Sequence, residues 1–255
     1  MKRMLSDSSK SSEKLSEGKK PTEPDQQDFI STENVKELLL EIYARLRRHF
    51  GYRNWWPGET EFEIILGAIL TQNTSWKNVE KALDNLKKQG LLEPEKLRKV
   101  EQSKLEELIK PSGYYRQKAE RIQRFLDFFF APPVNGKIEL LKALPLKKLR
   151  KMLLEIKGIG PETADSILLY ALNKPIFVVD AYTKRIFSRL RLVKENISYD
   201  ELREFFEKNL PRSVKLYNDY HAQLVELGKN YCKKIPDCSA CPLRSLERCR
   251  EKQFS

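Results

Sequence analysis

No stretch of this sequence runs apolar for the roughly 18–20 residues that a membrane-spanning helix needs. The first residues also lack the apolar core of a secretory signal. Both absences predict a soluble intracellular protein, in cytoplasm or nucleoid, with no membrane partner. Strand-like alternation is missing apart from the short run Ile176–Val179, and no segment repeats. Histidine is scarce. His49 ends a predicted helix, His221 opens an amphipathic run where packing is the expected role, and neither has a metal-ligand partner at helical spacing. Cysteine does not occur before Cys232, which argues against disulfides scattered through the chain. Acidic residues are outnumbered, 36 Asp+Glu against 48 Lys+Arg, for a net charge of +12 in 255 residues. That excess favours a polyanionic partner, nucleic acid before an acidic membrane.

What the chain does have is helical periodicity. Residues 1–28 are polar, rich in Ser, Lys and Glu, and too poor in apolar residues to offset ordering entropy, so they read as a disordered tail. Ser31-Thr32-Glu33 opens a helix whose inward face is Leu38, Leu39, Ile42, Tyr43 and Leu46, ending near Gly51. A turn at Trp55-Trp56-Pro57-Gly58 leads to a buried helix around Phe62–Leu70, and Thr71–Ser75 separates it from a helix over Trp76–Lys88. Short helices are predicted at 94–100 and 102–109, a longer one at Tyr115–Phe130, then 137–143 and 146–154. After Asp180 the pattern gives 181–191, 198–209 and 213–231, so the fold class is all-α.

The most informative stretch is Leu154–Arg185, LEIKGIGPETADSILLYALNKPIFVVDAYTKR. A helix ending at Lys157 meets Gly158-Ile159-Gly160, and Pro161 opens the next helix, where the missing N–H costs nothing. The glycines allow a tight turn and close approach to another surface, and free N–H groups there form a ready phosphate site. One helix further on stand Val179 and Asp180.

This hairpin, the apolar helix and the distant Asp resemble the helix-hairpin-helix, Gly/Pro…Asp (HhH-GPD) DNA glycosylases, the endonuclease III-like members above all. The resemblance spans nearly everything after the tail. It implies two helical lobes, one from residues 55–174 and one combining 29–54 with 175–255, around a cleft that binds double-stranded DNA containing a damaged base. It also implies a monomer in which Gly158, Ile159, Gly160, Glu162 and Thr163 meet the DNA and Asp180 is catalytic. Bifunctional members carry a lysine two positions after the last hairpin glycine, and that residue attacks the sugar as a neutral amine. Here the position is Glu162, which cannot form an imine. The expected reaction is therefore hydrolysis without efficient strand cleavage.

Cys232, Cys238, Cys241 and Cys249 read C-x5-C-x2-C-x7-C. Four thiols in so short a segment suit a tetrahedral zinc or a [4Fe–4S] cluster, and spacing alone leaves both open. The resemblance favours the [4Fe–4S] cluster, because endonuclease III-like glycosylases end in a similar loop, although two of the three gaps differ from the usual C-x6-C-x2-C-x5-C. Structural zinc is the alternative.

The target base must leave the duplex to be reached. By resemblance, Gln72 fills the gap left by the flipped nucleotide and Tyr114, in Gly113-Tyr114-Tyr115, wedges into the stack. Trp55, Trp56 and Trp76 are the chain's three tryptophans. With Pro111-Ser112-Gly113-Tyr114-Tyr115, they resemble the 3-methyladenine DNA glycosylase III branch, in which the aromatic positions, here Trp56 and Trp76 with Trp55 adjoining, sandwich the base. An N3- or N7-alkylated purine nucleoside is cationic, which favours an electron-rich pocket and makes the base a good leaving group. The expected substrate is thus an alkylated purine. Oxidised pyrimidines cut by a glycosylase/lyase, a mismatch substrate, and a non-catalytic DNA-binding module are the alternatives.

Overall fold

Apolar stripes at helical spacing fold here into the helices they predict. The computed structural model describes residues 32–246, and no strand occurs among the described residues. The helices are α1 (Thr32–Phe50), α2 (Glu61–Leu70), α3 (Trp76–Lys88), α4 (Pro94–Leu97), α5 (Gln102–Ile109), α6 (Tyr115–Phe130), α7 (Ile138–Ala143), α8 (Leu146–Leu154), α9 (Pro161–Ser166), α10 (Ala181–Arg189), α11 (Tyr199–Asn209) and α12 (Val214–Asn230). The all-α expectation holds. The predicted tail, Ser31 and Cys249 lie outside the described residues.

α2 is the axis of the N-terminal helices. Thr60 caps it by accepting a hydrogen bond from Glu63 N–H, and Phe62, Ile65, Leu66, Ile69 and Leu70 are all buried. Each such side chain contributes roughly 2 kcal/mol of burial. α2 packs on α3, α6 and the helix that follows the hairpin. α4 stops at Leu97, short of the predicted end at Val100, because Lys99 N–H and Val100 N–H close on Lys96 O at 3.1 Å and Leu97 O at 3.2 Å in tight turns.

α9 does not end at Ser166. It widens into a π turn over Ile167–Ala171, with Leu172 N–H reaching back five residues to Ile167 O at 3.2 Å. All five residues of that turn are buried. An extended segment then carries Ile176–Val179 to Asp180.

Two polar clips fix this frame. Arg150 of α8 donates to both oxygens of Asp165 of α9, at 2.7 and 3.1 Å, and to Asp200 of α11 at 2.8 Å. Asp165 is completely buried, so the fork holds the two hairpin helices in register. On the other side, buried Asp219 of α12 accepts from Tyr43 Oη at 2.7 Å and from Arg53 N–H at 3.0 Å. Gln223 Nε2 donates to Gly51 O at 2.6 Å. The turn leading into Trp55 is thereby tied to the helix that carries His221.

Candidate active site

The hairpin sits where its sequence puts it. Gly158 has φ +96°, a conformation that disfavours any side chain, and Arg121 crowds the place a Cβ would occupy. Gly160 is different: its φ of −88° suits any residue, and among the described residues a Cβ there would meet nothing within 4 Å. Its bare face is therefore open to a ligand and serves no internal packing. Ile159 N–H bonds to Ile156 O at 3.0 Å, while the N–H groups of Gly158 and Gly160 find no backbone acceptor among the described residues. Ile159 itself is buried and anchors the turn.

Beside the hairpin lies a cleft of about 440 Å³, bordered by the end of α2, Arg121 of α6, the first turns of α9 and Tyr199 of α11. Gln72 bridges it: its Nε2 donates to Gly158 O at 3.2 Å and Thr163 Oγ1 at 2.8 Å, and Arg121 donates to its Oε1. The sequence-predicted Gln72, Gly158, Gly160, Glu162 and Thr163 thus meet at one place. Tyr114 stands on a loop after Gly113, 64% exposed and in the left-handed region at φ +47°. A large exposed aromatic in that conformation is not a packing anchor.

Asp180 caps α10. Its Oδ1 accepts from Thr183 N–H at 2.7 Å and Thr183 Oγ1–H at 2.8 Å, and its Oδ2 lies 3.7 Å from His221 Nε2. Its side chain is only 11% exposed. Burial pushes its carboxyl upward, but His221 and the two Thr183 donors outweigh that and hold it below the usual carboxylate value. Glu162 moves the other way. It opens to solvent at the cleft, yet the protein packed around it, then the charge of Asp180, push its carboxyl up to about 7. Asp180 does not line the cleft itself; its charge is felt there through Glu162.

The three tryptophans come together, with Trp56 5.1 Å from Trp76, Trp55 5.2 Å from Trp76 and Trp56 5.1 Å from Tyr170. Trp56 and Trp76 meet edge to face at 89°. No parallel slot stands open between them, so stacking a base between the two rings requires one of them to turn. Lys229 Nζ already lies 5.9 Å from the Trp55 ring centroid, so the cluster's electron-rich surface attracts a cation in the free protein.

In the loop after α12, Cys232, Cys238 and Cys241 line one small apolar cavity of about 30 Å³, together with Leu227, Tyr231 and Leu243. Arg189 donates to Cys232 Sγ at 3.4 Å and to Lys233 O at 2.7 Å. Three thiols facing one apolar cavity beside a guanidinium suit thiolate ligation in chemistry. Among the described residues, however, no group of three is drawn together tightly enough to hold a metal ion. The fourth member, Cys249, lies outside them.

Two residues that matter here carry no motif. His221 is buried against Asp180, with Tyr170 bonded to its Nδ1. Packing was the role its sequence implied, and packed it is, but its partner is the carboxylate. Lys118 is fully buried, its Nζ donating to Leu70 O at 2.8 Å and Ser112 O at 2.6 Å. It ties the end of α2, just before Gln72, to the loop that presents Tyr114. Position 118 falls on the stripe of Ile122, Phe125 and Phe129, and that periodicity was the available signal.

Burial, and to a smaller degree Arg121, lowers Lys118 from the usual 10.5 to about 8. Between those values the unfolded chain holds a proton that the folded state has released, so this group makes the fold more stable as pH rises. Lys118→Met strands two buried carbonyls and is expected to cost about 2 kcal/mol at pH 7. Urea midpoints at pH 7.5 and 9.5 should show the wild type gaining on the variant at the higher pH.

Residues 66–212, more than half the chain, match the HhH-GPD superfamily of base excision DNA repair proteins. The chain belongs to that superfamily. It is 49% identical over 214 residues to a Methanocaldococcus jannaschii protein named "Putative DNA repair glycosylase MJ1434", covering 84% of this chain and 97% of that one. It is 33% identical over 216 residues to endonuclease III of Thermotoga maritima, covering 83% and 91%. Among solved structures, H. pylori 3-methyladenine DNA glycosylase bound to 1,N6-ethenoadenine superposes with a TM-score of 0.65 at 33% identity, covering 78% of this chain and 98% of that one. A trapped endonuclease III–DNA covalent intermediate shares the fold, with a TM-score of 0.73 at 23% identity, covering 86% and 99%.

Proposed function

We propose that this HhH-GPD protein is a monofunctional DNA glycosylase. It acts as a monomer on double-stranded DNA, flips out an alkylated purine of the 3-methyladenine type and hydrolyses its N-glycosidic bond. The observation that carries the reaction is a carboxylate, Glu162, in the first turn of the hairpin helix where a bifunctional enzyme has an amine, with a second, Asp180, capping the helix beyond it. Asp180 stays ionised and faces the positive charge that develops at C1′ as the C1′–N bond breaks. Glu162, poised near neutrality, takes a proton from the water that adds to C1′. The bond's electron pair leaves with a base that is already cationic, so no strong acid is required. Gln72 and Tyr114 enter the space the nucleotide vacates, and the Gly158 and Gly160 N–H groups grip phosphate.

The tryptophan cluster supports the choice of lesion, because electron-rich indole faces hold a cationic purine better than a neutral base. The likeness to the H. pylori enzyme, named for 3-methyladenine, agrees with it. Duplexes carrying alkylated, oxidised, mismatched or uracil bases, offered side by side, test it: release of 3-methyladenine or 7-methylguanine is expected, and release of oxidised pyrimidines alone would overturn the lesion assignment. Release from the preferred duplex should quicken as pH rises through about 7. Glu162→Gln should be slower by about 100-fold and should lose that inflection. A variant that keeps the wild-type profile would remove Glu162 from the reaction.

Cys232, Cys238, Cys241 and Cys249 would hold a [4Fe–4S] cluster, which would brace the loop that carries Lys233, Lys234 and Arg244 toward the DNA backbone. Bound there, the cluster would supply structure. The purified protein should be brown and hold about four irons per chain; a colourless protein with one zinc would decide for the alternative.

A further inference from the structure

Oδ1 of Asp180 is fully engaged by Thr183, and Oδ2 is left facing His221. His221 Nε2 is buried, 3.7 Å from that oxygen, and has no hydrogen-bond partner among the described residues. A buried polar nitrogen without a partner is rare, and one aimed at a functional carboxylate is poised to bond it. On the opposite edge of the same ring, Nδ1 pairs with the Tyr170 hydroxyl. Tyr170 also packs at 5.1 Å against Trp56. One chain of contacts therefore joins the tryptophan cluster to Asp180.

We propose that His221 is the positioning residue of Asp180, with Tyr170 donating its O–H to Nδ1 so that Nε2–H points at Oδ2. Tyr170 has that proton to give: burial, then the charge of Asp180, raises its hydroxyl well above the ordinary tyrosine value. The opposite tautomer would set a nitrogen lone pair against a carboxylate oxygen, which is repulsive. Because Tyr170 lies against Trp56, a base entering the aromatic pocket shifts the ring that sets this tautomer. Filling the pocket and aiming Asp180 are then one event. A small movement of His221 completes its hydrogen bond to Oδ2 and fixes the carboxylate against C1′.

This inference rests on the reading of Asp180 as the catalytic carboxylate, and the test separates the two. Single-turnover base release and DNA affinity are measured for wild type, Asp180→Asn, His221→Leu, His221→Gln, Tyr170→Phe and the Asp180→Asn/His221→Leu pair. His221→Leu should lose about 100-fold in rate with DNA affinity within about threefold. His221→Gln, which restores an amide N–H, should recover about tenfold of that, and Tyr170→Phe should lose about tenfold. In the Asp180→Asn background, His221→Leu should change nothing further, because the residue acts through a carboxylate no longer present.

A wild-type rate in His221→Leu would overturn the proposal, as would an equal loss in both backgrounds or a loss that only tracks DNA affinity. Should His221→Leu fail to fold, Tyr170→Phe decides alone, since it keeps the ring; an unchanged rate sinks the relay. If wild-type protein releases no base from any duplex, it is the enzymatic assignment that fails.

Discussion

Asp180→Asn is expected to slow single-turnover base release by about three orders of magnitude while leaving DNA affinity within about twofold. The substitution is close to isosteric, and the amide oxygen still accepts from Thr183 N–H and Oγ1–H, so the start of α10 keeps its cap. What disappears is the negative charge proposed to meet the cation at C1′. Folding should therefore survive, and melting temperature is the control. Loss of the charge also relieves Glu162, whose carboxyl Asp180 helps to push up. Any residual activity should then show its inflection below pH 7. A variant that releases bases at the wild-type rate would remove Asp180 from the mechanism.

Arg150→Met should give the largest loss of stability, about 4 kcal/mol, which for a domain of this size lowers the melting temperature by about 10 °C. Arg150 is 16% exposed at its side chain and its partner Asp165 not at all. Burial alone would lower the guanidinium's proton affinity, but the two hydrogen bonds to Asp165 and the nearby charges hold it above the usual arginine value. Removing the arginine takes away the paired counter-ion of a fully buried carboxylate on the helix that forms half of the hairpin, leaving it the Tyr199 hydroxyl and the charge of Arg203. Because Arg150 and Asp165 belong to the two helices flanking Gly158-Ile159-Gly160, DNA affinity should fall with stability. Adding Asp165→Leu should recover most of the melting temperature, since the destabilising group is the buried charge. No recovery in the double variant would show that the arginine acts through packing.

Much of this was legible in the chain before it was folded. The helices follow apolar stripes that recur every three or four residues, and Gly158, Gly160, Glu162 and Asp180 are read from one continuous run. What spacing does not report is a contact between distant segments. His221 meets Asp180 and Tyr170 only because α12 crosses α10 and the π turn. The π turn depends on a hydrogen bond one residue longer than helical periodicity describes. Lys118 had the right register but the wrong chemistry for a core position, and burial became affordable only through the carbonyls of Leu70 and Ser112, one of them from another helix. The tryptophans were legible as a set and not as a shape. Their edge-to-face packing depends on how α2, α3 and the Trp55 turn converge.

The proposed hydrolysis of the glycosidic bond alone rests on Glu162, which stands where a lysine nucleophile would stand. The direct measurement is one single-turnover reaction on an end-labelled duplex with 3-methyladenine or 7-methylguanine, divided into three portions: untreated, hot alkali, and borohydride. A hydrolase without a lysine nucleophile should leave intact strands in the untreated portion, cleavage at the lesion after alkali, and no protein–DNA adduct with borohydride. Strand breaks before alkali, together with a borohydride-trapped adduct, would contradict it.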